Sequence, residues 1–248
     1  MLGLGSYISD SEGDVFEIGD IPTTTANLVS HLQYNIGFSG GDVDATGVET
    51  AEFVDKWFDG PQNNHWDAAG DTQRPKFRAG GLDFDGSNDA MDLGTQLSLT
   101  TFHFFMVLDL DGTSNETVIG VNGSTNFLRF FKGNPGNADE IRYKFGSDGP
   151  VDKTVTTSSN IPTNKFLFEL ARTNLGSNNL TTFFDGTPVN TDHIDHTKDW
   201  IIRSIGAQSP TGTNPAEGVI FEMAVFDNVL TGSKLTDVRA DIQARNGL

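Results

Sequence analysis

The sequence predicts an all-β sandwich of two antiparallel sheets with a short C-terminal helix. Three observations carry that prediction. Apolar and polar residues alternate with period two in segments such as "EIRYKF", where Ile141, Tyr143 and Phe145 oppose Glu140, Arg142 and Lys144, as in a half-buried strand. Elsewhere apolar residues run almost unbroken over strand length, separated at short intervals by turns rich in Gly, Asn and Pro. A helical period shows only at the end of the chain.

Taken in order, residues 1–24 are rich in Gly, Ser and Thr without periodicity and read as an N-terminal arm. Residues 25–248 read as one domain with no long repeat and no internal boundary. It opens on "NLVSHLQYNI", where Leu28, Leu32, Tyr34 and Ile36 fall on one face and His31, Gln33 and Asn35 on the other. The runs "TFHFFMVLDL" from 101, "KFLFELA" from 165, "NLTTFFD" from 179 and "GVIFEMAVF" from 218 predict strands covered on both faces. "FDG" recurs at 58–60, 84–86 and 184–186. Phe ends a strand, Asp bonds its own backbone and Gly takes positive φ, so each copy predicts a tight reversal. After Thr231 or Ser233 as cap, Leu235, Val238 and Ile242 share one helical face, and Gly247 follows the last turn.

Composition narrows the function. At 248 residues the chain buries roughly 70–75% of its unfolded surface, enough for a core without staples. It has no cysteine, which removes disulfides and thiolate metal sites. A formal charge of −18, from 34 acidic and 16 basic residues, argues against nucleic acid, whose affinity comes from Lys and Arg neutralising phosphates. No segment has a basic n-region or the roughly 20 apolar residues of a membrane span. The chain therefore reads as soluble and unprocessed, with no membrane partner.

The order of motifs resembles a known family. "WFDGPQNNHWDAAGDTQRP" is followed by "GGLDFDGSNDAMDLG" and the strand "TTFHFFMVLDL", then by "NLTTFFDGTPV" and the closing "GVIFEMAVFDNVLTGSKLTDVRADI". This is similar to the laminin G-like branch of the concanavalin A-like lectin/glucanase jelly rolls, over about residues 26–248. Asp185 stands where that pattern more often has Asn, and the loop around Trp66 is longer. The resemblance implies a concanavalin A-like jelly-roll sandwich. It does not fix a function, because the family includes adhesins, sugar binders, enzyme appendages and virion proteins. The start "MLGLGS" ahead of such a domain resembles virion proteins of tailed phages.

Asp83, Asp85 and Asp89 in "DFDGSND" offer hard oxygen ligands of the kind Ca²⁺ takes, and "DLDGTSNE" offers Asp109, Asp111, Asn115 and Glu116. Neither completes an EF-hand loop, and the turn preference of Asp is the favoured reading. Glu12, Asp14 and Glu17 in "EGDVFE" match the paired-carboxylate pattern of glucanases in the family, but in the arm and with Gly13 where a strand residue belongs. Asp192, His193, Asp195 and His196 in "TDHIDH" read as a polar loop rather than a transition-metal site. For sugar binding, "QNNHWDAAGD" places Asn63, Asn64, Trp66 and Asp67 in one loop, amides and a carboxylate beside an aromatic platform. Trp57 and Trp200 read as core, and Trp66 as either a platform or an inward anchor.

The expectation is a non-enzymatic structural or attachment protein of a virion, its arm contacting other virion proteins and its lectin-like sandwich facing a surface glycan. The alternative is a calcium-assisted carbohydrate-binding module of an extracellular system. Either reading accommodates a homo-oligomer, and neither requires a cofactor unless calcium is bound.

Overall fold

The structure, a computed structural model, describes residues 27–32, 38–39, 53–57, 59, 65–78, 80–111, 115–121, 126–132, 139–145, 152–156, 161–173, 179–192 and 199–248. The arm, the "EGDVFE" segment, Asn63, Asn64 and most of "TDHIDH" lie outside these residues. The strands are β1 (Leu28–Leu32), β2 (Phe38–Ser39), β3 (Lys56–Trp57), β4 (Trp66–Ala68), β5 (Lys76–Arg78), β6 (Gly81–Asp85), β7 (Met91–Leu99), β8 (Phe102–Leu110), β9 (Asn115–Gly120), β10 (Phe127–Phe131), β11 (Glu140–Lys144), β12 (Asp152–Thr156), β13 (Phe166–Arg172), β14 (Leu180–Phe184), β15 (Thr187–Asp192), β16 (Trp200–Ile205) and β17 (Glu217–Phe226). A 3₁₀ turn covers Asp71–Gln73, and α1, the one α-helix among the described residues, covers Gly232–Asn246.

They form two antiparallel sheets. One has eight strands in the order β15-β14-β13-β8-β17-β6-β5, and the ten-residue β17 is long enough to pair with β6 along its first half and β1 along its second. The other has nine, in the order β12-β11-β10-β9-β16-β7-β4-β3-β2. Between them lies one core in which Trp57, Trp66 and Trp200 are fully buried with Phe102, Phe104, Phe130 and Phe166. Trp200 sits 5.0 Å from Phe102, 5.2 Å from Phe104 and 5.5 Å from Phe145, ring centre to ring centre. Burying one such side chain contributes on the order of 2 kcal/mol.

The continuous apolar runs form the middle of the smaller sheet. In β8 and β13 every second residue enters the inter-sheet core, while Phe105, Val107 and Leu167 point the other way and meet Val238 and Ile242 of α1. That second apolar face explains why these strands lack alternation. β14 differs from the expectation: Thr181 and Phe183 are only half-buried, so it is covered fully on one face. β1 differs as well. A bulge between Leu28 and Ser30 sends Leu28 toward α1 and Leu32 into the inter-sheet core, and His31 is buried rather than solvated.

Two of the recurrent reversals are visible. At Phe184–Thr187 both central residues take positive φ, 48° for Asp185 and 77° for Gly186, the geometry of a two-residue hairpin turn. Its carboxylate reaches across to accept the Leu167 N–H at 2.8 Å instead of bonding locally. At 84–86 the Asp does bond locally, as described below. Thr231 is the N-cap of α1 by backbone, without a side-chain capping bond, and Gly247 closes the helix in the left-handed region.

The two outer faces

On the eight-stranded sheet, α1 covers the outer face of the middle strands β8, β13 and β17. Two buried carboxylates rise from it and each clamps an arginine of the helix. Glu169 of β13 accepts from Arg239 Nε and Nη2, both at 2.7 Å, and His103 Nε2 lies 3.5 Å away. Glu222 of β17 accepts from Arg245 Nη2 and Asn246 Nδ2 at 2.7 Å, with His31 Nε2 at 3.0 Å. Burial pushes both carboxyls up, but their hydrogen-bonding partners outweigh it and hold both below the usual range. Burial lowers His103.

Candidate functional site

Among the described residues, the nine-stranded sheet carries polar side chains on an outer face that no helix covers. Lys56, Asp67 and Asp92 lie in register across β3, β4 and β7. Lys56 Nζ is 3.1 Å from Asp67, and Arg203 grips Asp92 with Nε at 2.9 Å and Nη2 at 3.2 Å. The side chains of Asp67 and Arg203 are 51% and 40% exposed, so this charged row is accessible.

Farther along the same face, the β10–β11 pair presents Arg129 and Phe131 beside Glu140, Arg142 and Lys144, with Phe127 buried under Arg129. Alternation puts Leu128, Phe130, Ile141 and Tyr143 in the core and these side chains outside. Arg142 lies over the Phe131 ring at 4.2 Å and Arg129 over Phe127 at 4.1 Å. Arg142 Nε and Nη2 donate to Glu140 Oε2 at 3.0 and 2.7 Å. Arg129 donates to Gln208, whose Oε1 also accepts from Asn214. Gln208 arrives there because β9 ends on Gly120, where a Cβ would overlap the Gln208 backbone.

The residues singled out from sequence divide differently. Trp66 is a correction: it is fully buried, paired with Trp57 and Leu93, because β4 is an interior strand of the larger sheet. It is a core anchor and offers no exposed ring. Asp67 does lie on the open face, while Asn63 and Asn64 fall outside the described residues. Trp57 and Trp200 are core, as expected.

Asp83, Asp85 and Asp89 turn to three separate partners. Asp83 faces Arg78 at 3.3 Å. Asp85 accepts the Ser87 N–H at 2.8 Å and the Asn88 N–H at 3.4 Å, the local turn bond, and Asp89 accepts the Asp85 N–H at 2.9 Å. Among the described residues no group of three His, Asp or Glu is arranged to hold a metal ion. Burial pushes the Asp89 carboxyl up to about 7; the Asp85 N–H bond opposes the rise and the Asp85 charge adds to it.

Sequence reasoning missed Arg129, Arg142, Gln208 and Asn214. The alternation in "EIRYKF" placed Arg142 on a solvent face, but the Phe131 ring beneath it comes from β10, and Gln208, the partner of Arg129, comes from the loop after β16.

Two antiparallel sheets packed over one core, with a helix on one outer face and, among the described residues, a polar surface on the other, define a jelly-roll-type β-sandwich. The chain belongs to the concanavalin A-like lectin/glucanases superfamily, whose laminin G-like family model matches residues 85–236. Domain 4 of AbnA, an extracellular arabinanase from Geobacillus stearothermophilus solved with arabinotriose, is similar with a TM-score of 0.53 and 12% identity, covering 86% of this chain and 98% of that chain. A Trypanosoma rangeli sialidase solved with sialic acid gives 0.54 and 15%, covering 90% of this chain and 34% of that one. The SAP-like pentraxin of Limulus polyphemus gives 0.50 and 10%, covering 63% and 80%. At these identities the likeness concerns the fold. No curated protein sequence matches the chain. No helix among the described residues is long and apolar enough to cross a membrane.

Proposed function

We propose that this protein is a non-catalytic carbohydrate-binding domain that holds a glycan on the outer face of its nine-stranded sheet. The observation that carries this reading is the contrast between the faces: α1 occupies one, and the other exposes amide and charged groups already held by neighbours. Sugar hydroxyls are recognised by such pre-positioned donors and acceptors. The arabinotriose-bound arabinanase domain, similar over 98% of its length, supports binding as a use of this fold.

A binding role is supported over hydrolysis by the state of the open-face carboxylates. Asp67, Asp92 and Glu140 each face a basic side chain, whereas hydrolysis of a glycosidic bond needs one carboxyl kept protonated beside the substrate. Asp89 and Asp109, the carboxyls that burial raises among the described residues, are not among them. The extracellular setting of the arabinanase favours an extracellular binding module. Attachment of a virion to a surface glycan uses the same face, with the arm as its second contact.

Affinity electrophoresis through gels containing neutral and acidic polysaccharides tests this. Retardation by at least one polymer, reduced in Arg203→Gln or Arg142→Gln and without release of reducing ends, is expected. No retardation by any polymer, or turnover of one, would overturn the reading.

A further inference from the structure

We infer that the open face selects an acidic saccharide, and that Arg129 and Arg142 together bind its carboxylate or sulfate group. This rests on the carbohydrate-binding reading and specifies its ligand class. Arg129 and Arg142 are directly opposite each other in the β10–β11 register. Like charges in that position destabilise a sheet, with Cβ atoms about 4.5–5.5 Å apart. That spacing also lets two guanidinium groups meet one anion.

Several features support such a use. Each guanidinium lies on a phenylalanine ring, 4.1 Å from Phe127 and 4.2 Å from Phe131, which fixes its plane and leaves less side-chain freedom to lose on binding. Glu140 and Gln208 brace the two arginines from opposite ends of the pair, and the Arg142 side chain remains 42% exposed. Charge distribution points the same way. The chain as a whole carries −18, yet residues 127–145 contain Arg129, Lys132, Arg142 and Lys144 against Asp139 and Glu140, and Asp139 is buried. Lys144 stands opposite Phe127 on the same face, extending the cationic strip along the hairpin. An acidic protein that places two arginines side by side here directs an anion to this hairpin and repels it elsewhere. Arginine suits the task because its planar fork donates to both oxygens of a carboxylate or to a sulfate.

Titration calorimetry with three probes tests this: oligogalacturonate for carboxylate, chondroitin sulfate oligomers for sulfate, and neutral arabino-oligosaccharides. Binding of at least one acidic probe is expected. Arg142→Gln should weaken it at least about tenfold, Arg142→Lys should restore part of the loss, and raised salt should weaken wild type more than the Gln variant. Unchanged melting temperatures of the variants would show that the loss is local. Equal binding of all three probes, or binding of the neutral probe alone that ignores Arg142→Gln, would overturn the acidic specificity and leave the carbohydrate reading standing. Failure of every probe would count against both.

Discussion

On the eight-stranded sheet, charged groups are buried under α1 and hold it in place; on the nine-stranded sheet they stand in water on top of a finished core. Glu169 and Glu222 have side-chain exposures of 0% and 1%, against 51% for Asp67 and 24% for Asp92. The same residue types therefore serve different ends. A buried carboxylate that loses its partner is left as an uncompensated charge, whereas an exposed pair contributes little to stability and remains available to a ligand. Substitutions on the sealed face should damage folding, and substitutions on the open face should damage binding.

The largest effect should come from the sealed face. Arg245→Ala strips Glu222 of one of its partners and should lower stability by about 3 kcal/mol, read by urea denaturation, with Arg239→Ala behaving alike at Glu169. Because both carboxyls are held below their ordinary range, their contribution is present above that range and lost as pH falls through the lowered values. A variant as stable as wild type would show that the clamps do not secure the helix.

Gly120→Ala comes next. Its Cβ would overlap the Gln208 backbone, so a loss of roughly 1–3 kcal/mol is expected, together with weaker glycan binding as Gln208 leaves Arg129. Asp89 should show the opposite pH trend to the glutamates. Its folded value of about 7 exceeds the unfolded one, so the native state holds a proton that the unfolded state lacks between roughly pH 4 and 7, and its contribution falls as pH rises through that window. Asp89→Asn should flatten this slope and stabilise the protein at pH 8 by on the order of 1 kcal/mol. Thermal melts of both proteins from pH 5 to 8 would show it, and parallel slopes would contradict it.

Asp85→Ala removes the turn bonds to Ser87 and Asn88 and should cost on the order of 1 kcal/mol, with no shift in wild-type melting temperature on adding a chelator. A large chelator-induced drop would restore the ion-site reading of Asp83, Asp85 and Asp89. Smallest in stability, and largest in function, should be Arg142→Gln: within about 0.5 kcal/mol of wild type yet impaired in glycan binding.

The sealed side was the more legible in sequence. Unbroken apolar runs announced β8, β13 and β17, and the spacing of Leu235, Val238 and Ile242 announced α1, because a helix covering a sheet leaves a periodic mark on both. The clamps were not legible. His31 read as solvated because it stands opposite Leu32, and nothing in β1 itself tells that α1 covers that outer face; Glu169 and Glu222 meet arginines 70 and 23 positions away in sequence, which only the packing of α1 on the sheet brings near. On the open side, Trp66 was ambiguous because a tryptophan beside Asn and Asp suits a loop platform and a strand interior equally; pairing with Trp57 and Leu93 decided it. Arg129 and Arg142 are 13 positions apart, and only the hairpin register makes them neighbours.

The central claim is that ligand meets the nine-stranded sheet. Hydrogen–deuterium exchange with and without a saturating concentration of the polysaccharide retained in the gels tests it directly. The account predicts added protection in peptides covering Phe127–Phe131, Glu140–Lys144 and the Gln208–Asn214 loop, with none over Gly232–Asn246. Protection confined to α1 or to the Gly81–Asp89 turn, with the β10–β11 peptides unchanged, would contradict it.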